Sequence, residues 1–165
     1  MANIVLIGMP ACGKSTVGVI LAKTLGIDFV DTDLIIQKRE GMLLQQIIDS
    51  RGIDEFLECE RRAVMSLECD NCVVATGGSV IFKEDAIAHL KENGKIFYLN
   101  VPLDEIKMRL SNIKTRGVAA AHGESIEDIY NCRKPLYERL CDVNLDLTGC
   151  SAEDTVSKIC EILGK

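Results

Sequence analysis

The chain has 165 residues, 47% of them hydrophobic, and a formal net charge of −6 without any block of basic residues. This length suffices for one domain, residues 1–165, with a hydrophobic core. Because binding to a nucleic-acid backbone needs clustered Lys and Arg, the acidic balance argues against a nucleic-acid partner. No apolar run reaches the roughly 18 residues of a membrane span and no signal peptide precedes the first apolar run, so we expect a cytoplasmic protein with no membrane partner.

The first element in chain order is a glycine-rich loop between a strand and a helix. The run from Asn3 to Ile7 is short and apolar, as in a buried parallel strand, and apolar residues at nearly helical period follow from Ser15 to Leu25. Between them, Gly8-Met9-Pro10-Ala11-Cys12-Gly13-Lys14-Ser15 matches the phosphate-binding P-loop pattern. The sequence therefore predicts a nucleoside triphosphate site at this loop.

The loop residues have distinct expected roles in holding ATP and Mg²⁺. Gly8 and Gly13 carry no Cβ, so backbone N–H groups can converge on phosphate oxygens. Lys14 is expected to reach the β- and γ-phosphates as a catalytic cation, and the Ser15 hydroxyl is expected to ligate Mg²⁺. The residues predicted to bind the nucleotide here are Gly8, Ala11, Cys12, Gly13, Lys14, Ser15 and Thr16.

The second predicted strand, Asp28 to Asp31, leads into the acidic segment Asp31-Thr32-Asp33. Period-two alternation predicts that both carboxylates point to the same side, at the carboxyl edge of the sheet where ligands of α/β proteins bind. One acid could hold Mg²⁺ through water, and the other could orient an acceptor hydroxyl and take its proton. An aspartate that only caps a helix is the alternative.

Residues 34–68 form a mostly helical excursion, longer than one crossover helix requires, and we expect a small subdomain over the site. A third strand, Cys72 to Thr76, follows and ends at Gly77-Gly78-Ser79. Paired glycines at this position let a small ligand approach the backbone closely, although an ordinary strand-to-helix turn is the alternative.

The rest of the chain continues to alternate, with strands predicted at Lys95–Asn100 and Asp142–Asp146 and a final amphipathic helix. Strands separated by helices predict an α/β fold of three layers around a five-stranded parallel sheet. Residues 112–124 contain glycine and have weak patterning. They predict a lid that excludes water, or else a surface loop.

Two arginines are candidates for binding an anion. Arg116 lies in the predicted lid and Arg133 on the following helix. A phosphoryl-transfer site needs cations on the γ-phosphate oxygens, and arginine also binds carboxylates through two parallel hydrogen bonds. Either residue could instead be a surface charge.

The eight cysteines show no metal-binding framework, since Cys69-Asp70-Asn71-Cys72 is a single C-x-x-C without a second pair. We expect reduced thiols that act as small apolar side chains. Cys12, beside the start of a helix, is the exception. Thiol reagents are expected to inhibit the protein there, and bound nucleotide to protect it.

The order of these motifs resembles shikimate kinases, a family of small P-loop kinases, over nearly the whole chain. The matching segments are Gly8 to Thr16, Asp31-Thr32-Asp33, Phe56 with Glu60, Thr76-Gly77-Gly78, Arg109 with Arg116, and Arg133 to Tyr137. The resemblance implies a P-loop kinase fold whose helical excursion binds the acceptor. It also implies transfer of phosphate from ATP to the 3-hydroxyl of shikimate, a step toward chorismate.

The resemblance also implies a role for each matching side chain. Asp33 would be the base at the acceptor hydroxyl, and Asp31 would support the magnesium shell. Arg109 would stack on adenine, Arg116 would contact the transferring phosphate, and Arg133 would hold the carboxylate of shikimate. The acceptor would also lie against Gly77, Gly78 and Ser79.

The chain departs from the family pattern at three positions. Leu57 stands where the family has an arginine that grips the acceptor carboxylate, Ser79 replaces a glycine, and Gly117 replaces a proline. Loss of a charged hydrogen bond costs about 1.5–3 kcal/mol, or roughly ten- to a hundredfold in binding. Arg61, one helical turn after Leu57, is our candidate for a substitute ligand of that carboxylate.

Two alternative functions stay open at this point. A related kinase acting on another hydroxylated metabolite is the first, because both Leu57 and Ser79 concern the acceptor rather than ATP. A nucleotide-dependent switch is the second, although the guanine motif Asn-Lys-x-Asp is absent and the D-x-x-G match at Asp49–Gly52 lies in the helical excursion.

Overall fold

A computed structural model describes residues 2–111 and 124–165 of the chain. The strands are β1 Asn3–Ile7, β2 Asp28–Asp31, β3 Cys72–Ala75, β4 Gly94–Asn100 and β5 Val143–Asp146. The helices are α1 Lys14–Leu25, α2 Thr32–Glu40, α3 Leu44–Met65, α4 Glu84–Glu92, α5 Leu103–Ser111, α6 Ile126–Leu140 and α7 Ala152–Leu163, with a 3₁₀ turn at Val80–Phe82.

The five strands form one parallel sheet in the order β2-β3-β1-β4-β5, as the alternating pattern predicted. Val5 of β1 lies beside Val74 of β3 and Ile96 of β4. All five residues of β1 and all four of β3 are buried, because helices cover both faces of the sheet.

The strand order sets the location of a ligand site. The chain leaves β1 between β3 and β4, where connections run to opposite sides of the sheet, and ligands of open α/β sheets bind at this switch point. Gly8 follows β1 directly at this edge. The fully buried central strand β1 therefore places the loop between β1 and α1 at the switch point of the sheet.

Helices α2 and α3 fill the predicted excursion and have a small core of their own. Its buried members are Ile36, Ile47, Phe56, Cys59 and Ala63. Helix α3 changes direction at Gly52, whose φ of 84° is outside the helical range. Separation of this cluster from the main core agrees with a subdomain, and its role in acceptor binding stays a prediction.

Two helices begin at capping motifs that can be read in the sequence. Ser125 and Asp128 form a reciprocal capping box at the start of α6, and Ser151 with Asp154 does the same for α7.

Within residues 2–111 and 124–165, no helix has the length and apolarity needed to cross a membrane.

Candidate active site

The loop between β1 and α1 has the backbone geometry of an anion cradle. Gly8 has a φ of 148°, and a Cβ there would lie 2.9 Å from Cys12 Sγ and 3.0 Å from the Leu99 carbonyl oxygen. Gly13 precedes α1 with a φ of 101°, and Ala11 also has a positive φ, of 63°. These turns aim successive N–H groups and the start of α1 at one point, as the sequence predicted.

Lys14 is buried although it is charged, with 9% of its surface exposed. Its Nζ donates hydrogen bonds to the carbonyl oxygens of Gly8, at 2.8 Å, and Met9, at 2.9 Å. A buried ammonium held by neutral carbonyl groups is strongly attracted to an anion in the same cradle. This placement agrees with the predicted role of Lys14 on the phosphates.

Ser15 and Asp31 bring two oxygen ligands together at the first turn of α1. The Ser15 hydroxyl donates to Asp31 Oδ2 at 2.7 Å, while Asp31 Oδ1 accepts from the Asp33 N–H at 3.0 Å. A hydroxyl and a carboxylate are the hard oxygen donors that Mg²⁺ prefers. The pair therefore fits the magnesium site that the sequence predicted.

Asp33 reaches the site by a different route from the one that the sequence suggested. Strand β2 ends at Asp31, which caps α2, and the helix begins at Thr32. The period-two argument is therefore wrong: Asp31 faces Ser15, whereas Asp33 Oδ1 lies 3.3 Å from the point where a Cβ on Gly77 would be. The two carboxylates therefore lie beside different groups, Asp31 at the Ser15 hydroxyl and Asp33 at the turn after β3.

The turn after β3 lies close to α2, α6 and the P-loop. The Gly77 N–H donates to Thr32 Oγ1 at 3.2 Å. A Cβ on Gly78 would lie 3.1 Å from Arg133 Nη1 and 3.1 Å from Pro10 Cδ, so this residue lies between α6 and the P-loop. The lack of a side chain at Gly78 lets both groups approach the backbone closely.

Glu60 is a buried carboxylate beside this turn, and only its match to the family pattern drew attention to it. It is 2% exposed, and its Oε1 lies 1.9 Å from the point where a Cβ on Gly77 would be. Its Oε2 accepts a short hydrogen bond from the Ser79 hydroxyl. A charged residue one turn after the buried Phe56, on the same face of α3, is the sequence signal that could have identified it.

The protonation of Glu60 depends on its surroundings. Burial raises its pKa to about 7, the hydrogen bond from Ser79 lowers it, the charge of Asp33 raises it and that of Arg133 lowers it. Asp33 and Glu60 oxygens both lie within 3.3 Å of the same Cβ position on Gly77. The carboxyl of Glu60 therefore titrates near neutral pH next to the candidate base.

Arg133, on α6, is 3% exposed and contributes positive charge to this cluster. Its guanidinium carbon lies 5.6 Å from the centre of the Phe82 ring, a cation–π contact that holds the side chain over the turn after β3. The position agrees with the predicted binding of an acceptor carboxylate.

Arg109 lies beside the P-loop, as the resemblance implied. Its Nη1 donates to the carbonyl oxygens of Ala11 at 3.3 Å and Cys12 at 3.2 Å, and Nη2 pairs with Glu105 at 3.4 Å. It lines a cavity of about 410 Å³ together with Thr16 and part of α7. The planar guanidinium can there lie against a nucleotide base, and this stacking stays a prediction.

Three other candidates from the sequence have different outcomes, beginning with the predicted lid. Arg116 and residues 112–123 of that segment lie outside the described residues. Arg61 donates to Asp85 at 2.6 Å and to Glu58 at 2.9 Å, an arrangement that does not support binding of the acceptor carboxylate. Cys12 is only 2% exposed and its sulfur lies close to Gly8, which argues against rapid attack by thiol reagents.

Comparisons with known proteins agree with this geometry. The sequence model of the family described as shikimate kinase matches residues 10–164. The shikimate kinase of Thermodesulfovibrio yellowstonii is 35% identical over 162 residues, covering 96% of this chain and 93% of the relative. That of Persephonella marina is 34% identical and covers 100% and 99%.

The solved structures give the same result. The shikimate kinase from Acinetobacter baumannii in complex with shikimate aligns with a TM-score of 0.91 and 28% identity over 99% of this chain and 93% of that one. The predicted fold class and the prediction of an ATP-dependent kinase acting on a hydroxyl group are therefore confirmed. The chain belongs to the shikimate kinase family.

Proposed function

We propose that this protein transfers the γ-phosphoryl group of ATP to the 3-hydroxyl of shikimate, with Mg²⁺ as the metal ion. The observation that carries the proposal is the meeting of two half-sites at Gly78. Pro10 of the P-loop and Arg133 of the acceptor cluster both lie 3.1 Å from the point where a Cβ on Gly78 would be. A nucleotide on one half and a hydroxy acid on the other would be adjacent.

The nucleotide half uses backbone N–H groups, Lys14 and Arg109. The N–H groups of the cradle bind the phosphate oxygens, while Lys14 neutralises charge that develops on them during transfer. Ser15 and Asp31, joined by a hydrogen bond of 2.7 Å, would hold the metal ion directly or through water. The bound ion would supply positive charge that offsets the negative charge of the phosphate groups.

The acceptor half uses Asp33, Arg133 and the turn after β3. Arg133 binds the carboxylate of the acceptor, and its burial makes that charge-assisted interaction strong. Asp33 accepts the proton of the hydroxyl while that oxygen bonds to the γ-phosphorus and the bond to the β,γ-bridging oxygen breaks. The products are the phosphate monoester and ADP.

A related kinase for another hydroxylated metabolite remains the second candidate, because the acceptor side differs from the family pattern. Leu57 supplies no positive charge on α3, and the Ser79 hydroxyl donates a hydrogen bond to the carboxylate of Glu60. In the described part of the acceptor cluster, Arg133 is the cation that can bind an acidic group. The replacement of an arginine by Leu57 would therefore favour a smaller or less acidic substrate.

Steady-state kinetics separate the two candidates. ADP release is followed with shikimate and with a panel of other hydroxy acids, polyols and nucleosides, and the comparison is made on kcat/KM. We expect shikimate to give the highest kcat/KM. A higher kcat/KM for another acceptor would favour the second candidate.

Substitution of Arg133 tests the binding of the acceptor carboxylate. Arg133→Lys should raise the KM for shikimate about ten- to a hundredfold, since one ammonium cannot replace the forked guanidinium donor. Arg139→Lys, a substitution at an exposed position on the same helix, is the control.

A further inference from the structure

Cys69 and Cys72 lie side by side at the amino end of β3, away from the turn that contributes to the candidate active site. Both are free thiols, and their sulfur atoms are 2.8 Å apart. A disulfide bond has a sulfur–sulfur length of about 2.05 Å, so an approach of less than about 1 Å would join them. The proposed phosphoryl transfer makes no use of either residue.

The segment between the two cysteines is held in a bent conformation. The side-chain amide of Asn3 donates to the Cys69 carbonyl at 2.7 Å, and its oxygen accepts from the Cys72 N–H at 3.1 Å. Asn71, directly before Cys72, has a φ of 55° in the left-handed region, which asparagine adopts more readily than most residues. The fold therefore holds both sulfurs in position before any reaction occurs.

The two thiols differ in access to solvent. Cys72 is 0% exposed, and this burial is the largest cause of the raised pKa of its thiol. Cys69 is partly exposed and lies on the wall of a cavity of about 320 Å³ that Glu68, His89 and Glu92 also line. A small oxidant can therefore reach Cys69, and Cys72 can react only with its neighbour.

Metal binding is the other chemistry that a C-x-x-C segment supports. Across residues 2–111 and 124–165, no group of three or more His, Cys, Asp or Glu side chains could hold a metal ion. A structural zinc site usually takes four ligands, so this pair is far from complete. The geometry favours thiol–disulfide chemistry instead.

We propose that Cys69 and Cys72 form a redox-active dithiol that a small-molecule disulfide such as oxidised glutathione converts to an intramolecular disulfide. The Cys69 thiolate attacks one glutathione sulfur, which breaks the glutathione disulfide and releases one thiolate. Cys72 then loses its proton and attacks the Cys69 sulfur, releasing the second. Two protein thiols are oxidised, one oxidised glutathione is reduced to two thiols, and two protons balance the released thiolates.

Disulfide formation at Cys69 and Cys72 is separate from the proposed phosphoryl transfer and does not depend on it. The pair is at the opposite end of β3 from Gly77, so we expect oxidation to leave kcat/KM for the phosphoryl transfer unchanged. The covalent link should raise the urea concentration at the midpoint of unfolding, because it restricts the unfolded chain.

Peptide mapping of the full chain tests the proposal. The native protein is incubated with excess oxidised glutathione, quenched with acid, and alkylated with N-ethylmaleimide in denaturant. Trypsin then releases residues 63–83, which contain both cysteines and no third one. We expect this peptide to lose two hydrogens and to carry no label. Dithiothreitol before alkylation should restore two labelled thiols.

Single substitutions test the assigned order of attack. In Cys72→Ala, Cys69 should accumulate as the mixed disulfide with glutathione, and in Cys69→Ala the buried Cys72 should stay a thiol. Cys141, partly exposed with its sulfur near the Glu138 carbonyl, is the internal control and should reach only the mixed disulfide. Should the wild-type peptide 63–83 retain two labelled thiols, or stop at the mixed disulfide, the proposal is overturned without reference to the variants.

Discussion

Glu60 provides a quantitative test of the acceptor cluster through the pH dependence of stability. Its pKa is raised from 4.5 to about 7, chiefly by burial, which corresponds to about 3 kcal/mol between the two protonation states. Between these pKa values the native protein keeps a proton that the unfolded chain has lost. The free energy of unfolding therefore falls as pH rises from about 4.5 to about 7, by about 3 kcal/mol from this group, and is unaffected by it at higher pH.

Urea unfolding of the wild type and Glu60→Gln from about pH 4 to about pH 8.5, a range that includes both pKa values, measures this contribution. The amide keeps the shape of the acid but cannot ionise, so the variant should gain about 3 kcal/mol relative to the wild type over that window. Glu58→Gln is the matched control on α3. Hydrogen bonding to Arg61 lowers the pKa of Glu58, so it cannot produce the same fall. A difference in the free energy of unfolding between wild type and Glu60→Gln that stays constant with pH would show that the pKa of Glu60 is not raised by folding.

Three further predictions concern the loop, the turn and the missing arginine. Lys14→Met should lower kcat about 10²–10³-fold with the fold retained by circular dichroism, whereas exposed Lys23→Met should not. Gly77→Ala would place its methyl 1.9 Å from Glu60 Oε1. It should cost about 1–3 kcal/mol in chemical denaturation and raise the KM for shikimate; an unchanged KM would contradict the assigned contact. Leu57→Arg, one turn before Glu60, should lower the KM for shikimate about tenfold or more in steady-state assays, and no change would show that this face of α3 does not reach the acceptor.

The fold and the nucleotide half could be predicted because their signals are local. The strand β1, the glycine positions and the periodicity of α1 are consecutive in the sequence, and each reports on its own backbone. Parallel pairing of the strands then follows from the intervening helices, since parallel neighbours need crossover connections. Ser15 and Asp31 meet because parallel strands have their carboxyl ends at the same edge of the sheet, although β3 lies between β1 and β2.

The acceptor half was less predictable because it depends on packing between distant segments. Whether Asp33 continued the strand was decided by capping, as Asp31 accepts the hydrogen bond that starts α2. Glu60 and Ser79 are 19 positions apart and meet only when α3 packs on the turn after β3. Arg61 follows Glu60 directly, yet a step of about 100° around the helix turns it toward Asp85 on α4.

The most direct test of the proposed reaction is identification of its product. Wild-type protein, ATP and Mg²⁺ are mixed with shikimate, and the reaction is followed by phosphorus-31 and proton NMR. We expect a phosphate monoester coupled to the proton at carbon 3 of shikimate, formed in equal amount to ADP, and almost none with Asp33→Asn. ADP accompanied only by inorganic phosphate, or a monoester at another carbon, would overturn the proposed reaction.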